Sequence, residues 1–177
     1  IQTGLLPTVS RSPTFEVVLK REEEKMPEIL TASQIQRLVS KAYEDDHPWK
    51  RVWATAFLTG MRSGELYALT WKDIDWERRV ISVTKSYNCR RREFKSTKSG
   101  KWRHVPISQA LEKVLKEQFE ETGQTQHVFP RFQDWFRGSQ APVLRRFCYA
   151  NNLPSIRFHT LRACFATQML NLGVDTA

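Results

Sequence analysis

Cysteine is scarce in this sequence: Cys89, Cys148 and Cys164 are odd in number, far apart, and form no CxxC pair. Such a set builds no disulfide framework, and the histidines do not fall at zinc-finger spacing beside it. The expectation is reduced thiols in a cytosolic protein, with no metal site. Long apolar runs are absent too, so no segment is suited to crossing a membrane. The first residues show no basic stretch leading into an apolar one, which argues against a secretory signal. No internal repeat is visible. The chain lacks an initiating methionine, opening on Ile1 and closing on the helix-like Leu170-Asn171-Leu172-Gly173-Val174-Asp175-Thr176-Ala177. Both ends read as edges of a stretch taken from a longer protein.

What is present is a globular composition with a positive balance. The length of 177 residues suffices for one domain with its own core. Apolar residues make up 40% and aromatics 11%, which excludes a disordered chain. The net charge of +9 fits a polyanion partner. Its distribution says more. Lys85, Arg90, Arg91, Arg92, Lys95, Lys98, Lys101 and Arg103 face Glu93 alone, so one short stretch holds +7 of the +9. The plain alternative is a solvated basic loop.

Residues 1–29 lack periodicity and carry Pro7, Pro13, Pro27 and a mixed charge run, which reads as a linker from an upstream domain. Folding is expected from residue 30. Thr31 and Gln34 fit a capping box, followed by an apolar stripe of Ile35, Leu38, Val39 and Ala42. Pro48 can open a second helix, lined by Trp53, Ala56, Phe57 and Leu58 and ended by Gly60. Ser63 can cap a short third helix. Val80–Val83, Ser86–Phe94 and Trp102–Ile107 read as strands, the last two joined by a turn at Gly100. Ser108 caps a helix with Leu111, Val114, Leu115 and Phe119 on one side. Helices over about 141–150 and 159–172 follow, the last with Leu161, Phe165, Ala166 and Met169 as its buried side. The expected class is α+β, mainly helical, with helices packed around a small antiparallel sheet.

Three segments bear on chemistry. In Thr59-Gly60-Met61-Arg62-Ser63-Gly64-Glu65-Leu66, an arginine sits between glycines at a helix junction. It can present a planar fork to a phosphate, with Glu65 holding that fork. The glycines let backbone approach a ligand. A structural Arg62–Glu65 pair is the plain alternative. In Lys95-Ser96-Thr97-Lys98-Ser99-Gly100-Lys101-Trp102-Arg103-His104-Val105-Pro106, a lysine near a glycine turn is a mobile cation, or a proton donor if its pKa is lowered. A hairpin touching only DNA backbone is the plain alternative. In Phe158-His159-Thr160-Leu161-Arg162, residues i and i+3 put His159 and Arg162 on one helix face, suited to an oxyanion or phosphate. A satisfied core histidine is the usual alternative, and the adjacent arginine tips the balance.

These three motifs in this order resemble the tyrosine recombinase (phage integrase) family, over about residues 30–177. The resemblance implies the family's catalytic-domain fold, of the DNA breaking-rejoining type, preceded by a missing DNA-binding domain and incomplete at its C-terminus. Arg62 matches the first catalytic arginine, Glu65 the supporting acid, and His159 and Arg162 the H-x-x-R pair. The hairpin lysine best matches Lys98, with Lys95 an alternative and Lys101 a poorer one. Arg90, Arg91, Arg92, Lys95, Lys101 and Arg103 are then candidates for DNA phosphate contacts.

In the family a tyrosine attacks a DNA phosphodiester and forms a 3′-phosphotyrosyl bond, and the leaving 5′ oxygen, which Lys98 would protonate, departs as a hydroxyl. The bond energy is kept, so the resemblance implies no metal or other cofactor. It also implies double-stranded DNA attachment sites as partner, a homotetramer on DNA for the full protein, and a fragment that is monomeric. The chain departs from the family after Arg162: Tyr43, Tyr67, Tyr87 and Tyr149 all lie upstream, and none stands where the nucleophile belongs. The fragment is thus expected to be inactive by itself. A non-catalytic DNA-binding module from a decayed or truncated integrase is the second reading. A type IB topoisomerase is a third, which the compact spacing disfavours.

Overall fold

The computed structural model describes residues 29–88, 91–96, 102–130 and 140–174. The expected linker lies outside these, apart from Ile29. Among the described residues the order is three helices, two small sheets and three further helices. The expected class, α+β and mainly helical, is what is found.

Helix α1 spans Ala32–Glu44. Its capping box forms: Gln34 N–H donates to Thr31 Oγ1 at 3.3 Å, and Thr31 N–H donates to Gln34 Oε1 at 2.9 Å. Ile35, Leu38 and Ala42 are buried one turn apart. Helix α2, Lys50–Thr59, starts one residue past Trp49, so Pro48 stands before the cap rather than in the first turn. It is the central helix, burying Val52, Trp53, Ala54, Thr55, Ala56 and Thr59 against α1 and the later helices. Gly60 ends it in the left-handed region at φ 60°. Helix α3 is Ser63–Ala68, with Arg62 rather than Ser63 at its N-cap.

The strands are β1 (Ile74–Asp75), β2 (Val80–Val83), β3 (Lys85–Asn88), β4 (Glu93–Ser96) and β5 (Arg103–Pro106). They form an antiparallel sheet β1-β2-β5 and a separate hairpin β3-β4. The expected strand Ser86–Phe94 does not exist as one element, and it does not pair with Trp102–Ile107. The chain reverses between Asn88 and Glu93, with Arg92 at φ 54° and Asn88 Oδ1 accepting from Arg91 N–H. The reason lies in the pleat. Tyr87 and Phe94 are an odd number of residues apart, so one straight strand would point them to opposite faces. Reversal makes them a cross-strand pair with ring centroids 4.9 Å apart. Tyr87 also stacks on Tyr67 of α3 at 4.3 Å. Strand β5 pairs with β2, setting Val105 beside Ile81 and Arg103 beside Val83.

Helix α4, Gln109–Thr122, is capped by Ser108 Oγ, which accepts from Leu111 N–H. Phe119, on the same side of the helix as Leu111 and Leu115, is about half exposed, edge-on to Trp71. Gln118 is buried instead, accepting from Arg51 Nε at 2.8 Å and donating to the Val128 carbonyl at 3.0 Å. Those bonds replace the water an amide loses on burial. Helices α5 (Gln140–Ala150) and α6 (Thr160–Asn171) complete the fold. In α6 Leu161 is fully buried, whereas Phe165, Ala166 and Met169 are only half-buried. Cys148 and Cys164 are buried free thiols whose pKa burial pushes up.

Candidate functional site

The site lies where the α2–α3 junction meets the start of α6. Gly60 stops α2, Met61 is buried, and the chain emerges at Arg62 in an extended conformation before α3 turns it back. Helix α6 packs on α2, which brings His159 and Arg162 to the same junction. A cleft of about 490 Å³ results, lined by Met61, Arg62, Ser63, His159, Arg162 and the small Ala163 and Ala166. Three of the four residues expected to be catalytic therefore share one cleft. The fourth, Lys98, lies outside the described residues, as do Lys101 and Arg90.

Glu65 organises the cations. Its side chain is 1% exposed, yet its carboxylate accepts four hydrogen bonds. Arg62 gives its backbone N–H to Oε2 at 2.8 Å and its Nη1 to Oε1 at 3.1 Å. Arg103 closes a two-pronged fork, Nη1 to Oε1 at 3.0 Å and Nη2 to Oε2 at 2.7 Å. Burial alone would raise this carboxyl's pKa. The bonds from Arg103 and from the Arg62 backbone and side chain outweigh it, and the net direction is down.

Arg162 donates to the Gly60 carbonyl, so α6 is tied to the end of α2 through the residue that should meet the ligand. Burial, then the nearby Arg62 charge, lowers its pKa; a guanidinium stays cationic even so. His159 is exposed at the N-cap of α6, and its carbonyl accepts from Arg162 N–H at 3.2 Å.

The remaining predicted contacts spread outward. Arg91 and Arg92 are exposed at the tip of the β3-β4 hairpin. Lys95 ion-pairs with Glu93 at 3.2 Å and does not line the cleft. None of the four tyrosines lines it. Gly64 serves packing rather than a ligand: a Cβ there would stand 2.6 Å from the Tyr87 carbonyl oxygen. Sequence reasoning missed the pairing of Arg103 with Glu65, although a signal existed. Arg103 and Val105 fall on one face of a strand, and Val105 is a core residue. A cation on a core-facing position needs a buried acid.

The Glu65 cluster makes acid stability testable. A carboxyl whose folded pKa is depressed contributes stability that is present above its unfolded pKa and lost as pH falls through the folded value. Denaturation of the wild type is thus expected to steepen on going from neutral to about pH 3, and Glu65→Gln should flatten that limb. Parallel limbs for the two proteins would refute a depressed Glu65.

Guanidinium groups gathered around one buried carboxylate, at the mouth of a mainly helical α+β domain, define a site suited to a phosphate. The chain belongs to the phage integrase family, whose model matches residues 28–177. It is 29% identical over 182 residues to the ICEBs1 integrase of Bacillus subtilis, covering 94% of this chain and 50% of that protein. It is 29% identical over 174 residues to tyrosine recombinase XerC of Lactobacillus leichmannii, covering 94% and 57%. Its fold matches the Tn1549 transposon integrase, solved in complex with circular intermediate DNA, with a TM-score of 0.73 at 20% identity over 86% of this chain and 57% of the other. The chain thus spans about half the length of the curated relatives it matches.

Proposed function

We propose that the chain is the catalytic domain of a site-specific DNA recombinase that cuts and rejoins strands through a 3′-phosphotyrosyl intermediate. Its setting would be the integration or excision of a phage or mobile element, in the cytoplasm of a bacterial or phage-infected cell. The cleft shared by Arg62, His159 and Arg162 carries the reading. When a nucleophile attacks a phosphodiester, charge builds on the non-bridging oxygens. Two arginines fixed before the reaction begins neutralise it without reorganisation. His159 would hydrogen-bond the phosphate or take the attacking hydroxyl's proton, and Lys98 would protonate the leaving 5′ oxygen. The exposed Arg91 and Arg92 would meet backbone phosphates, and the whole protein would act as a homotetramer on two attachment sites.

The test incubates the full-length protein containing this chain with a nicked attachment-site duplex. A covalent protein–DNA adduct on a denaturing gel is expected. DNA binding with no adduct would favour a non-catalytic binding module. The chain alone is expected to bind duplex DNA with log affinity falling linearly in log salt, by about 0.9 per neutralised phosphate. Affinity indifferent to salt would count against phosphate contacts.

A further inference from the structure

Arg103 belongs by charge to the basic run, and the first reading of it is a contact with DNA backbone. We propose instead that Arg103 is a positioning residue: it occupies the Glu65 carboxylate, so that Arg62 is oriented by that carboxylate without being neutralised by it. The proposal rests on the reading of the cleft as a phosphodiester site.

The geometry separates the two arginines. Arg103 covers both Glu65 oxygens, whereas the Arg62 side chain takes one bond to Oε1. The Arg62 side chain is 51% exposed and lines the cleft; that of Arg103 is 35% exposed and does not. The register explains why Arg103 turns inward. It pairs with Val83 in β2, two residues from Val105, on the face that packs into the core. Charge gives the inward turn a purpose. A buried carboxylate beside Arg62 alone would cancel the charge that the cleft needs for an anion. With Arg103 present, two guanidinium groups share the carboxylate and Arg162 stands near enough to feel its charge, so the surplus positive charge faces the cleft from Arg62 and Arg162. The same fork moors β5 to α3.

A double-mutant cycle tests this, read as affinity of the whole 177-residue chain for a short fluorescent duplex over a series of salt concentrations. Arg103→Gln is expected to weaken binding by about tenfold, because Glu65 then holds Arg62 alone. In a Glu65→Gln background the same change should weaken it less than about twofold and leave the salt slope unaltered. Arg103→Lys, which returns the charge without the fork, should recover part of the loss. An equal loss in both backgrounds, with the slope falling by about one, would overturn the proposal in favour of a direct phosphate contact. Arg103→Gln leaves the buried carboxylate with two of its four bonds, both from Arg62. If it does not fold, Arg103→Lys serves in its place in both backgrounds, and Glu65→Gln/Arg103→Gln, which removes both charges, reports on folding. A chain that fails to bind duplex DNA while unchanged would instead overturn the recombinase reading, and Arg103's role with it.

Discussion

Arg62→Ala is expected to lower strand cleavage by the intact protein by a factor of about 10²–10³ while leaving the fold nearly as stable as before. The two halves of this expectation have separate causes. Arg62 is the most exposed of the three arginines bonded around Glu65 and the Gly60 carbonyl, and its guanidinium opens on the cleft. Removing it takes away a donor aimed at a charge that is largest in the transition state, so the rate suffers more than binding. Glu65 does not become an orphan, because the Arg103 fork and the Arg62 backbone N–H remain. A buried carboxylate with three bonds left stays ionised. Cleavage of a nicked attachment-site duplex and thermal melting, measured on the same preparation, would check both. Cleavage within a few-fold of wild type would remove Arg62 from the chemistry. Cleavage lost together with a large fall in melting temperature would make Arg62 a structural residue, the plain alternative for an Arg–Glu pair at a helix start.

Much of the fold was legible because helices announce themselves locally. The α1 stripe, its capping box and the Ser108 cap each involve residues three or four apart, and such residues meet whatever the rest of the chain does. Two of the three candidate motifs were legible for a similar reason, since Arg62 with Glu65 and His159 with Arg162 are pairs three residues apart, and both pairs' basic members line the cleft; the Lys98 of the third lies outside the described residues. What escaped was decided by contacts far apart in sequence. The basic stretch alternates well enough to pass as one strand, and only the Tyr87–Phe94 pairing, itself backed by Tyr67 from α3, decides where it reverses. Gln118 reads as a surface residue until Val128 and Arg51 arrive to bond it. Arg103 reads as one more member of a basic run until Glu65, 38 positions earlier, is seen beneath it. Local pattern thus places the elements, and long-range pairing of polar groups assigns the roles.

Gly60→Ala should be among the most damaging single-methyl changes in the chain, because three demands meet at that residue. Its backbone is left-handed, at φ 60°, where a Cβ costs roughly 1 kcal/mol. The new Cβ would stand 2.4 Å from Phe165 Cδ1 and 3.0 Å from Cε1, so the α6 ring must move. Overpacking of that kind typically adds about 1–3 kcal/mol. The Gly60 carbonyl also accepts from Arg162, so pushing α6 away separates the two halves of the cleft. Together these predict a loss of about 2–4 kcal/mol, which for a domain of this size is a fall of roughly 5–15 °C in melting temperature. Gly173 supplies the control. It too has positive φ, 74°, but a Cβ there meets nothing within 4 Å. Gly173→Ala therefore carries the backbone strain alone, and its effect subtracted from that of Gly60→Ala leaves the collision with Phe165. Trimming the ring in Gly60→Ala/Phe165→Leu should recover part of that difference and restore salt-dependent DNA binding with it. Equal small effects at the two glycines would mean that Phe165 yields freely. In that case the seat of α6 on α2 is softer than the packing implies, and the alignment of Arg162 with Arg62 must be fixed by the DNA itself.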